Sequence, residues 1–73
     1  MRSSNAVIVH RAVFLAFDGQ TGAARSLLAR ALRSFPQHCR ATASMLQQAR
    51  AADPHAIEPL LALARHFQGR TCR

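Results

Sequence analysis

The chain has no lysine, no tryptophan and no tyrosine, and its 73 residues hold only three acids, Asp18, Asp53 and Glu58. Those acids are dispersed, and two of them sit at expected helix ends, where a carboxylate acts as a turn or cap residue rather than as an acid–base catalyst. Without tyrosine or tryptophan, and with four phenylalanines that do not alternate with the cations, base stacking on single-stranded nucleic acid is not indicated. Two cysteines, Cys39 and Cys72, are too few for a disulfide scaffold. They fit a reducing compartment and leave one bridge open. No apolar run approaches the roughly 18 residues of a membrane span. Cysteine and histidine lack metal-ligand spacing: His10, His38, His55 and His66 make no paired motif, and His38 and Cys39 are adjacent and diverge on a helix. No metal, no cofactor and no enzymatic activity are expected.

What the chain does have is arginine. All ten cations are Arg, the net charge is +7, and 49% of the residues are apolar, many of them alanine. A balance this basic favours anionic partners: nucleic acid, acidic protein or anionic membrane surface. Arg without Lys in an Ala-rich chain is equally the product of codon bias in a GC-rich genome. A single domain of this size buries a modest share of its surface, and alanine contributes little area. The core must then rest on Leu, Ile, Val, Met and Phe. Another polypeptide or a homo-oligomer is expected to supply further burial.

Breakers at Asp18-Gly19, Gly22, Pro36, Asp53-Pro54 and Gly69 cut the chain into helical lengths. The first segment, about 6–17, is apolar nearly all round apart from His10 and Arg11, with Ser4 or Asn5 as cap. Its Val-Ile-Val run also carries strand propensity. A helix apolar on every side is central in a bundle or covered by another chain. The second, about 22–35, is cleanly amphipathic: Ala24, Leu27, Leu28, Ala31, Leu32 and Phe35 share one arc, and Arg25, Arg30 and Arg33 share the opposite one. The third, about 37–52, has a thin stripe of Met45, Leu46 and Ala49 with Thr42 beside it. The fourth, about 56–68, buries Ile57, Leu60, Leu63, Ala64 and Phe67. Asp53 caps it, Pro59 is placed in its first turn and Gly69 closes it. The termini, 1–5 and 70–73, are expected to fray. Short connections predict an all-α domain of three to four short antiparallel helices, a stack of helical hairpins.

With Pro36 as the closing proline, Ala12, Leu15, Gly19, Ala24, Leu28 and Ala31 fall on the positions of a tetratricopeptide repeat, which the first half of the chain resembles. Ile8 replaces the usual Trp, and Arg11 sits where Leu is usual. The resemblance implies protein binding through a helical groove, as in small secretion chaperones and assembly adaptors. A second resemblance, over Arg33–Pro36 and Asp53–Leu61, is to the mitochondrial Leu-Tyr-Arg family of basic three-helix assembly factors, without its signature tripeptide.

Residues 1–17 are basic, Ser-containing and free of acids. His10 and Arg11 interrupt the apolar stretch and no small-residue cleavage site follows, so a secretory signal is excluded while a mitochondrial presequence stays open. The expected location is cytoplasmic, with the mitochondrial matrix as the alternative. The Gly19-Gln20-Thr21-Gly22 stretch carries no basic residue and is taken as a plain turn. The function expected is a non-enzymatic protein-binding module: an adaptor, chaperone or inhibitor. Val9, Val13, Phe14 and Phe67 are its apolar anchors, and Arg25, Arg30 and Arg33 a basic rim. The alternative is a nucleic-acid-binding protein using the same Arg face.

Overall fold

The local punctuation sets where the chain turns, and the computed structural model, which describes residues 5–71, shows it doing so. The order is α1 (Asn5–Phe17), α2 (Thr21–Ser34), a single 3-10 turn at Pro36–His38, α3 (Cys39–Arg50) and α4 (Pro54–Thr71). Among the described residues there is no strand, so the Val-Ile-Val run is helical and the protein is all-α. Asn5 is the first helical residue, and Ser4 lies outside the described residues.

Gly19 ends α1. Its φ of +85° is open to glycine and disfavoured for residues with a Cβ. This conformation lets the Gln20 N–H donate to the Leu15 carbonyl at 2.9 Å and the Gly19 N–H to that of Ala16 at 3.0 Å, the paired bonds of a Schellman cap. A Cβ on Gly19 would meet nothing within 4 Å. Gly19→Ala therefore costs only the backbone term, about 1–2 kcal/mol, read as a lower midpoint in thermal unfolding.

α2 stops because Phe35 precedes a proline, which pushes it out of the helical region to φ −131° and ψ 64°. α4 starts where Asp53 Oδ1 accepts the Ala56 N–H at 3.3 Å, with Pro54 at the first helical position. Two expectations for α4 are corrected. Pro59 lies inside the helix, beyond the first turn; the carbonyl it leaves without its helical donor belongs to His55, an exposed residue. Gly69 does not close α4, which runs on to Thr71. Residues 70 and 71 are thus helical where fraying was expected, and 72–73 lie outside the described residues.

The helices pack as two hairpins, α1 on α2 and α3 on α4, joined mainly where α2 meets α4. Small residues line the first hairpin: Ala12 and Ala16 on α1, Ala24 and Ala31 on α2, all buried. They let backbones approach closely but bury little area. The apolar stabilisation rests on Leu28, Leu32, Leu46, Ile57, Leu60 and Leu61, each contributing about 1.5–3 kcal/mol. These side chains and Val9 form one continuous core. The radius of gyration is 10.9 Å, against about 11 Å for a close-packed chain of this length. An ion pair, Arg50 Nε to Glu58 Oε2 at 2.7 Å, ties α3 to α4 at the surface, where such pairs are worth at most about 1 kcal/mol.

Cys39 is fully buried and disulfide-bonded. The cysteine count alone fits a reducing compartment and leaves a bridge open; the chain's one other cysteine is Cys72. Among the described residues no helix is long and apolar enough to cross a membrane.

Candidate functional site

α1 has more apolar side chains than one short helix can bury. Val9, Ala12 and Ala16 face the core. Val13 is half-buried in a shallow groove toward α3, with Met45, Gln48 and Ala49. Ile8 and Leu15 are half-buried too, Leu15 against the core. Val7 is 62% exposed, Phe14 68% and Phe17 40%, and these are the exposed large hydrophobic residues among the described side chains.

All three lie on the outward side of one helix. Val7, Arg11 and Phe14 follow a 4-then-3 spacing, which keeps them in one stripe. A groove of about 470 Å³ is lined by Ala6, Val7, His10, Arg11 and Phe14. A second, of about 410 Å³, is lined by Arg11, Phe14, Leu15, Phe17 and Asp18. Arg11 and Phe14 belong to both, so the two form one continuous surface along the helix.

Of the expected anchors, Phe14 alone stands fully on this surface. Val9 is in the core at 0% exposure, so it cannot touch a partner while the domain is folded. Phe67 is half-buried, packed against the core and edge-on to His66 with ring centroids 5.9 Å apart. Val7 and Phe17 are surface residues that the sequence pattern does not single out. The signal that locates Val7 is polar: beyond Asn5, His10 and Arg11 are the polar side chains of α1, so they mark its outward face, and Val7 and Phe14 flank them at helical spacing.

Arg25, Arg30 and Arg33 are all exposed. They line a separate groove of about 480 Å³ with Gly22, Ser26, Ala29 and, from α4, Leu63. No carboxylate lines it. Each of the three acids is engaged elsewhere: Asp18 accepts from the Gln20 side-chain amide at 3.1 Å, Asp53 caps α4 and Glu58 pairs with Arg50. The four histidines are exposed and scattered, and among the described residues no group of three potential ligands could hold a metal ion.

Comparison with family models, with curated proteins and with solved structures finds no match to this chain.

Proposed function

We propose that the chain is a non-enzymatic helical protein-binding module whose contact surface is the outward face of α1. One observation carries the reading: the exposed large hydrophobic side chains, Val7, Phe14 and Phe17, are gathered on one helix and are not scattered. Singly exposed apolar residues are ordinary on any protein, whereas a contiguous set rimmed by polar groups marks a contact surface. The resemblance of the first hairpin to a tetratricopeptide repeat supports the same class of function, that of an adaptor, chaperone or inhibitor. Arg11 and His10, set among the apolar groups, would orient a partner more than hold it.

A second reading has its own observation. Three guanidiniums converge on the α2 groove with no carboxylate to neutralise them, which suits a phosphate backbone. One set of measurements separates the two. The immobilised chain is used to capture proteins from extract of its source cells, in parallel with Val7→Ser/Phe14→Ser and with Arg25→Gln/Arg30→Gln/Arg33→Gln, and all three are titrated with duplex and single-stranded nucleic acid at rising salt. The apolar variant is expected to lose its captured protein at least about tenfold while keeping its fold. Captured proteins retained equally by that variant reject the α1 reading. Micromolar nucleic-acid binding whose salt slope falls by about 3 in the arginine variant establishes the second reading instead.

A further inference from the structure

We propose that the outward face of α1 is the self-contact of a two-fold dimer, in which a second copy of this chain lies antiparallel across it. This rests on the reading of that face as a protein-contact surface and names its occupant.

The distribution of charge selects the occupant. Among the described residues, Arg25, Arg30 and Arg33 are on α2, Arg40 and Arg50 on α3, and Arg65 and Arg70 on α4; α1 carries Arg11 alone. Seven residues on stands Asp18. Seven residues on a helix return to within about 20° of the same direction, about 10 Å along the axis. Asp18 keeps near that position because its N–H still donates to the Phe14 carbonyl at 3.0 Å. Arg11 and Asp18 do not pair with each other; the one ion pair among the described residues joins Arg50 to Glu58. Between them on the same surface lie Phe14, Phe17 and the half-buried Leu15. The face therefore runs cation, apolar groups, anion, and its one cation and one anion balance on an otherwise basic molecule.

Such a face is complementary to itself. Turning a second copy about an axis that passes between Phe14 and Leu15 brings Arg11 of each copy to Asp18 of the other. The same rotation sets Phe14 of each against Leu15 of the other. Every contact then occurs twice, as an isologous interface requires. A strongly acidic partner would meet a single cation here and would find three on the α2 groove, so charge points such a partner away from α1. The net charge of +7 on each copy opposes association, but exposed charges farther apart than about 8 Å are largely screened at physiological salt. A helix of 13 residues is about 20 Å long. One face of it buries less than the roughly 800 Å² per partner of a stable complex, so the dimer is weak, with a midpoint on the order of 10–100 µM.

Sedimentation equilibrium of the full chain, from about 1 µM to about 1 mM at physiological salt, tests this. The wild type is expected to dimerise reversibly. Arg11→Glu and Asp18→Arg each set like charges together twice per dimer and should raise the midpoint at least about tenfold. The double exchange, R11E with D18R, should return it to within about threefold of wild type, because it rebuilds both pairs reversed. Both sites are exposed, and a cation at position 18 suits the C-terminal end of α1; far-UV circular dichroism verifies that each variant is folded. A wild type that stays monomeric throughout overturns the proposal, as does a double variant no better than its singles. A monomeric wild type that still captures another protein through Val7 and Phe14 overturns the dimer and leaves the protein-binding reading standing. A charge-reversible dimer supports this proposal whether or not a further protein is captured.

Discussion

Leu28→Ala is expected to remove roughly half of the folding free energy. Leu28 is fully buried on α2, the helix that packs both against α1 and against α4, so a cavity there opens at the junction of the two hairpins. Emptying a buried leucine site costs about 2–5 kcal/mol, the spread reflecting how far the surroundings collapse. Here collapse is restricted. The residues one turn away on the same buried stripe, Ala24 and Ala31, have already brought the backbones close and have no side-chain length with which to fill a void. The upper half of that range is therefore expected, about 3.5–5 kcal/mol. A domain of this length has only about 4–11 kcal/mol in total. In urea denaturation the midpoint should fall by about half with the slope unchanged, since the surface exposed on unfolding hardly alters. Leu27→Ala is the internal control: the adjacent residue is half-buried on the flank of the same helix, and its truncation should cost under about 1.5 kcal/mol. Similar losses from both would mean that α2 does not bury the stripe described.

That stripe is legible in the amino-acid sequence, and the reason is the contrast along α2. Ala24, Leu28, Ala31 and Leu32 alternate with Arg25, Arg30 and Arg33 at the helical period, so the polar residues declare which side faces inward. The turns are legible for a similar reason, since Asp18-Gly19, Pro36 and Asp53-Pro54 act through their own backbone geometry whatever packs nearby. α1 offers no such contrast. With apolar residues on nearly every side, its pattern says that the helix is greasy and not which side is covered. The choice of Val9 over Val7 as a surface residue fails on this point: the covering of Val9 is a property of the tertiary contacts with the other helices, which a local pattern does not hold. Gly69 and Pro59 depart from expectation for the opposite reason. The most frequent local role of each, as stop and as first-turn residue, is not the one it takes here. A glycine without positive φ demands no turn, and a proline whose unpaired carbonyl partner is an exposed residue demands no helix start. The Arg face of α2 is on the surface as its spacing predicts, but the groove it lines takes Leu63 from α4, a neighbour that sequence spacing does not reveal.

The exposed side of α1 and the alanine-lined hairpin share an origin. A chain that builds its helix contacts from alanine brings backbones together at little cost in volume, and its larger side chains must then find space elsewhere. Leu28, Leu32, Leu46 and the α4 stripe fill the one core. Phe14 and Phe17 lie on the outward side of α1 and stay exposed. Covering that surface would remove further apolar area from water, which is the physical drive toward association on α1 under the proposed function.

Reduction of the disulfide at Cys39 is expected to be the second large loss. The sulfur sits at the start of α3, fully buried in the common core. A bridge closing on Cys72, the only other cysteine, would span nearly half the chain. Cross-linking a loop of that length removes enough freedom from the unfolded ensemble to be worth about 3–4 kcal/mol, and small domains depend on such staples because their cores are thin. Here the remaining stabilisation comes from few large side chains, so the loss is proportionally heavy. Thermal unfolding followed by circular dichroism, with and without a phosphine reductant, should show a fall in Tm on the order of 15–25 °C. Cys39→Ala should reproduce the low midpoint and make it insensitive to reductant. That second result distinguishes a stabilising bridge from a reductant effect elsewhere. An oxidised chain and a reduced chain that melt together, with mass spectrometry verifying their thiol states, would show that the four helices hold without the bridge. The burial of Cys39 would then be ordinary packing, since a thiol fills such a site as a small hydrophobic group does.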